Sequence, residues 1–417
     1  SSNDIGKAWD VIEEAPVWSD AERADAENVI YATMIGMRRN VVNWGSFAQN
    51  DTIVWNHQTF PLLGIYWMAR WLDRWYPGQE PTAEYLAQVD GAFRGQLKSW
   101  KPQCDADSYL TITPRHTIEY TLSRNDYRFF QSGNVRKFAE YLTTVADNAG
   151  NTPGFGDSGY GKGPGYELNG LPIAFWYTKD PRYLWRLQQL YNGKWQNPYH
   201  TDITPQPWPQ IVGVNVYAMP EEYYRWATTS SAYGEEVTKT EVTYAQSFDK
   251  ISFREQMAED GQYLLLDGFA RGKHLHYDGN AIIRYHAHGE DWLIDGDYLV
   301  RNTTEHNMVS VVRDGRCATL EPAFTSLDAH ADLPGVGYTR TTVRDYNGAD
   351  WTRHILWLKG EGFVVLDELT AREAGEYTFE NVYKMLDLGK LEFDGRCVKV
   401  SRPTAGGMGS RDLSYTQ

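Results

Sequence analysis

Cysteine is scarce in this sequence: Cys104, Cys317 and Cys397 stand far apart among 417 residues, and no C-x-x-C spacing occurs. That excludes a disulfide framework and a zinc ribbon, both of which need closely paired thiols. Positive charge is also short. Forty Lys and Arg against 55 Asp and Glu leave a formal charge of -15. A phosphate backbone demands the opposite footprint, so a nucleic-acid partner is excluded, and an acidic ligand must meet a local basic pocket. No apolar run reaches the roughly 18 residues that a membrane span requires. The first residues, Ser1-Ser2-Asn3-Asp4, show no charged stretch followed by an apolar one, so the chain is expected to be soluble, after removal of any signal. The stretch Gly154-Phe-Gly-Asp157-Ser-Gly-Tyr160-Gly-Lys162-Gly-Pro-Gly165 packs six glycines into twelve residues but lacks the G-K-[ST] ending of a phosphate loop. It reads as a flexible connector able to approach a ligand closely.

Aromatic side chains are plentiful, with 16 Trp and 28 Tyr. Amphipathic rings suit sugar faces, although large helix-rich proteins also bury them. The length exceeds what one core usually organises, so two domains are expected. Up to about residue 232 the apolar spacing is helical, over 21–39, 61–75, 85–97, 117–122, 135–146, 168–177 and 181–190. From about residue 250 short β-branched and aromatic runs take over, at 263–269, 281–286, 292–294, 308–312, 354–358 and 363–366. Helices followed by strands indicate a multidomain α+β chain: a helical toroid over 1–235 and an antiparallel β-sandwich over 236–417. Seven or eight visible helices are few for a complete double ring, which suits an incomplete (α/α) toroid and a piece of a longer chain.

Five of the ten histidines fall between His274 and His306. If 274–280 is a strand, His274, His276, Asp278 and Asn280 project from one face. Should the run after Trp292 return antiparallel, Asp295 approaches His276, and His306 closes a His-Asp-His set of the kind zinc accepts. The plainer alternative is a polar hairpin with exposed histidines, and His286 and His288 are expected at the surface. In the helical half, Asn56-His57 precedes the apolar run starting near Pro61, where Asn56 can be a helix cap or a functional group. Thr113-Pro114 fits an N-cap and first helical position, with His116 and Tyr120 one turn apart beyond it, an imidazole and a phenol suited to proton transfer.

In this order along the chain, Asn56-His57, His274-x-His276-x-Asp278, Asp295-Gly-Asp-Tyr298 and Glu305-His306-Asn307 resemble the heparinase II/III-like polysaccharide lyases, over roughly residues 40 to 370. The resemblance implies an incomplete toroid before a β-sandwich, with the site in the cleft between them. It implies that Asn56 and His57 contact a uronate carboxylate, that His274 is catalytic, that Tyr109 and Tyr298 line the substrate, and that His276, Asp295 and His306 hold a structural zinc. The family's catalytic tyrosine follows the Asn-His pair by some fifty to sixty residues in a Ser-Pro-x-Tyr-like context. Here Thr113-Pro114-Arg115-His116 stands in that place, so His116, Tyr120, Tyr109 and His274 all remain candidates for the proton transfers. The implied activity is β-elimination on an acidic polysaccharide or oligosaccharide, alginate favoured over glycosaminoglycan or ulvan-like polymers, by a secreted or periplasmic enzyme. The rivals are a glycoside hydrolase using a pair among Asp105, Asp107, Asp157 and Glu167, and a non-catalytic glycan-binding protein.

Overall fold

A computed structural model of the chain describes residues 4–43, 52–158, 165–199, 202–229, 240–269, 271–295, 298–299, 301–317, 322–385, 390–395, 397–402 and 411–416. The α+β class expected from the sequence is present, helices before antiparallel strands except that the first strand precedes the last helix. The helices are α1 (Ile5–Ile12), α2 (Asp20–Asn43), α3 (Asn56–Trp75), α4 (Thr82–Gln96), α5 (Asp107–Ser123), α6 (Arg128–Gln131), α7 (Asn134–Val145), α8 (Leu171–Thr178), α9 (Pro181–Leu190) and α10 (Glu221–Thr229). None of the described helices is long and apolar enough to cross a membrane.

Two helix starts differ from the sequence reading. α3 begins at Asn56 rather than near Pro61, and α5 begins at Asp107, which puts Pro114 inside the helix instead of at its first position. In α3, the Gln58 side chain accepts a hydrogen bond from the extended Trp55 N–H and secures the first turn ahead of the proline. In α5, hydroxyls take up carbonyls around the proline: Thr111 donates to Ser108 O and Thr117 to Thr113 O.

The first sheet has the order β1 (Gly213–Tyr217), β2 (Lys250–Arg254), β3 (Tyr263–Asp267), β4 (Ile282–Ala287), β5 (Glu290–Ile294), all antiparallel. Its edge strand β1 comes from before the composition change near residue 232. β3 reads Tyr-Leu-Leu-Leu-Asp because both of its faces are covered. Leu264 and Leu266 join Ile251 and Phe253 against a second sheet, while Tyr263 and Leu265 join the helical core of Phe138, Tyr141 and Leu142. The second sheet comprises β8 (Thr325–Asp332), β9 (Val336–Tyr346), β10 (Ala349–Leu358) and β11 (Gly362–Ala371) in sequential order, and contributes Ile355 and Trp357 to the shared apolar layer. Between the sheets in sequence, β6 (Val309–Arg313) pairs with β7 (Arg316–Cys317) and with β12 (Tyr377–Asn381).

Buried arginines of the first sheet fix the segment leading to the site. Arg254 collects the carbonyls of Thr143, Thr144 and Ala146 at the C-terminus of α7, where the helix leaves acceptors unpaired. Arg284 binds Asp147 at 2.9 Å and the carbonyls of Thr152 and Pro153. Helical and sheet halves also meet through a buried ion cluster. Lys101 bonds Asp105 at 2.8 Å and Asp249 at 2.6 Å, and Lys250 bonds Asp267 at 2.8 Å and Asp249 at 3.2 Å. Burial pushes the Asp267 carboxyl well above its usual range, against the pull of Lys250.

Candidate active site

The start of α5 is stitched to the segment before His274: Lys273 N donates to Gln103 O at 2.7 Å, and Asp105 N donates to Lys273 O at 3.0 Å. Tyr109, in the first turn of α5, therefore lies flat on the His274 imidazole, with centroids 3.8 Å apart and planes 6° from parallel. Its hydroxyl is 3.2 Å from that of Tyr298, which is exposed. The bond to Tyr298, reinforced by burial, pushes the Tyr109 phenol up to about 12.

Asn56 and His57 form the first turn of α3, facing the same imidazole. Asn56 is buried and is not a cap; its Oδ1 lies 3.2 Å from His274 Nε2. The His57 ring stacks on His274 at 5.6 Å, and Trp55 completes the group, tilted 4.5 Å from His57 and 5.7 Å from His274. Burial, then the neighbouring His274, hold the His57 pKa below its ordinary value. Lys273 lies over the Trp55 ring, and Arg301 reaches Asp157 Oδ2 at 3.4 Å with its side chain 41% exposed. Basic groups thus stand beside these rings in an acidic protein. Asn56, His57, Tyr109, His274 and Tyr298 are brought together.

His116 and Tyr120 are not part of that group. An α-helix rises about 1.5 Å per residue, so they sit roughly 10 and 16 Å further along α5 than Tyr109. His116 Nδ1 bonds Thr59 Oγ1 at 2.9 Å, and burial lowers its pKa to about 4. Tyr120 is a core residue: it stacks on Phe93, donates to Asp90 at 2.9 Å, and its phenol is pushed far up by burial. The expectation of proton transfer by Tyr120 fails on this packing. Tyr109, one of the candidates left open by the sequence, stands 53 residues after Asn56, four residues before the Thr113-Pro114 pair.

Residues 274–280 are irregular rather than a strand. His274 and Asn280 have φ of 61° and 62°, so the one-face argument for the histidines does not hold. His274 turns to the helices, while His276 and Asp278 turn the other way, towards His306. His276, Asp278 and His306 each offer a ligand atom within 4.8 Å of the others, and all are at most 2% exposed. His276 Nδ1, Asp278 Oδ2 and His306 Nε2 are buried without a hydrogen-bond partner. The opposite ring nitrogens donate to carboxylates, His276 Nε2 to Asp157 at 3.0 Å and His306 Nδ1 to Asp295 at 2.9 Å. Those bonds fix each neutral tautomer with its lone pair on the unpartnered side, the pattern of metal-ligating histidines. The set fits a metal ion. Asp278 stands in this set where Asp295 was expected, while Asp295 bonds His306 on the side away from it.

His286, expected at the surface, is buried; it bonds Asp291 at 2.9 Å and Glu259 O at 2.7 Å, while His288 is exposed. Asp147, His286 and Asp291 form a second acidic group, but Arg284 already supplies its cation. The carboxylates a hydrolase needs are otherwise engaged. Asp105 sits in the ion cluster, Asp107 accepts from Gly154 N at 2.6 Å, Glu167 pairs with Arg186, and Asp157 binds the two histidines. Gly296 and Asp297, and Tyr160 and Lys162 of the glycine-rich stretch, lie outside the described residues.

No family model matches the sequence, and no curated protein matches it. Solved structures do resemble the fold. A heparan sulfate lyase HepC mutant from Pedobacter heparinus superposes with a TM-score of 0.62 at 11% identity, covering 96% of this chain and 58% of that one. A heparinase III structure gives 0.57 at 9% identity, covering 100% and 74%. The chain thus spans 58% of the length of the HepC structure. With ordered helices, antiparallel sheets and these likenesses in hand, the chain has the fold of the heparinase-like polysaccharide lyases.

Proposed function

We propose that this protein is a polysaccharide lyase that cleaves a uronate-containing glycan by β-elimination. The observation that carries the reading is the meeting of Asn56, His57 and Tyr109 from two helix N-termini with His274 and Tyr298 from the sheet half. Elimination requires the C5 proton to become acidic, which hydrogen bonds to the adjacent carboxylate achieve by stabilising the enolate-like charge of the transition state. Asn56 and His57 are the donors, aided by the positive end of α3. His274 accepts the C5 proton. Tyr109, whose phenol stays protonated at neutral pH, donates to the departing C4 oxygen, and Tyr298 orients it.

In this reading the helices form an incomplete (α/α) toroid over 1–235 and the strands a β-sandwich over 236–417, to which β1 is added from the first segment, with the cleft between. The cation is zinc, which takes nitrogen and oxygen ligands of this kind, held by His276, Asp278 and His306. Its part is structural: it pins the loop that carries His274. An acidic glycan agrees with Lys273 and Arg301 at the cleft, and such polymers lie outside the cytoplasm, so the enzyme is secreted or periplasmic. Alginate is the polymer favoured from the sequence. Heparan sulfate enters because similar structures are named for lyases of that polymer.

The test is incubation of the purified chain with alginate, heparan sulfate and other uronate polymers, following ultraviolet absorbance of the conjugated product. A rise on one polymer, abolished by His274→Ala, supports the reading. New reducing ends without absorbance would replace it with hydrolysis.

A further inference from the structure

Asp157 is neither a cation ligand in the set above nor a group placed to touch the substrate, yet it is the carboxylate that faces both sides of the site. Its Oδ1 accepts from His276 Nε2 at 3.0 Å, and its Oδ2 lies 3.3 Å from His274 Nδ1. Its backbone N–H donates to His274 O at 2.9 Å. The side chain is 3% exposed, so both contacts are shielded from solvent. Asp157 reaches this position because Gly156 has a φ of 65° and no room for a Cβ, which would overlap Asp105 O and Ala106. Arg284 grips the carbonyls of Thr152 and Pro153 just upstream. His274 itself has a left-handed backbone, costly for a residue other than glycine, so its conformation must be imposed by neighbours.

We infer that Asp157 is a positioning residue that ties the cation site to the catalytic imidazole, so that cation binding at His276 sets the orientation of His274. Through one carboxylate, an ion that draws on His276 Nδ1 strengthens the Nε2–H bond to Oδ1. The same carboxylate is thereby held where Oδ2 anchors His274 at Nδ1 and keeps Nε2 facing the Asn56 carboxamide. The inference rests on the lyase reading only for the word catalytic; the link between the two histidines stands on geometry alone.

The experiment uses the full chain with histidine-selective nitrogen-15 labelling, His274 being assigned from the signal missing in His274→Gln. In the wild type, adding zinc chloride to chelator-stripped protein shifts the His274 ring signals. In Asp157→Asn, zinc at saturation no longer shifts them, zinc affinity measured by chelator competition falls about 10- to 100-fold, and kcat falls while KM changes less than about threefold. A His274 signal unmoved by zinc in the wild type, or moved equally in Asp157→Asn, overturns the inference. The wild-type titration decides even if Asp157→Asn does not fold. Failure of the lyase reading is seen separately, as no unsaturated product from wild type while the zinc response of His274 persists.

Discussion

Replacing Tyr109 with phenylalanine removes one oxygen and leaves the ring lying 3.8 Å over His274, so it separates chemistry from packing. The lost bond is a 3.2 Å contact to an exposed Tyr298, and such a bond contributes about 0.5–1 kcal/mol to stability. The melting temperature should therefore move little. If the phenol protonates the leaving oxygen, its loss should lower kcat about 10²- to 10⁴-fold, or roughly 3–5 kcal/mol of barrier. KM should hold, since the ring face is retained. The assay is the initial rate of unsaturated-product absorbance on whichever polymer the wild type cleaves, run beside a thermal melt. Tyr120→Phe, deep in the helical core, supplies the contrast: it removes a 2.9 Å bond to Asp90, which keeps Arg94 and Arg124 as partners, so it should cost little stability and keep kcat. The reasoning is refuted if Tyr109→Phe keeps kcat within about threefold of wild type, or if Tyr120→Phe is the variant that loses it.

Acid should destabilise the fold partly through His116. Burial takes its pKa from 6.5 to about 4, so its contribution is complete above pH 6.5 and is lost as pH falls towards 4. About 2 kcal/mol disappears between pH 7 and pH 5, and urea unfolding of His116→Gln should show a shallower loss over that interval. Zinc titration should distinguish the two aspartates: Asp278→Asn should abolish high-affinity binding, while Asp295→Asn should weaken it only about 10- to 100-fold. Equal losses would mean that both ligate. Lys250→Met should cost about 3–5 kcal/mol in denaturant melts, because it strands buried carboxylates, and a loss below about 1 kcal/mol would contradict the ion cluster.

Much of this was legible in the sequence where local pattern governs. The helical spacing over 61–75 and the apolar run at 263–269 correspond to α3 and β3, since each reports a face that must be buried. The helix starts were less legible, because Pro61 and Pro114 look like first positions whereas side-chain bonds from Gln58, Thr111 and Thr117 carry the helices past them. Asn56, His57, His274 and His276 could be singled out by residue type and order. Tyr109 could not be preferred over Tyr120, since only the stitching of 103–105 to Lys273 decides which turn of α5 meets the imidazole. Asp278 is placed beside His276 only by a face argument that fails, because a period of two presumes a strand and 274–280 is not one, and Asp157 is legible only as a hydrolase carboxylate, because nothing local shows that it meets both histidines. His286 looked like surface because nothing local reveals that Asp291 returns beside it on the next strand.

The buried Lys101–Asp249–Lys250 cluster also governs how the cleft can move. Parting the helical and sheet halves at this joint would bring water to five charged side chains at once, and break their close pairing before any of them was fully hydrated. The joint therefore resists a half-open arrangement, and under the proposed lyase reading a polymer would enter without hinging there. Asn56 and His274, contributed by the two halves on either side of this joint, are thereby held at the spacing the structure gives them.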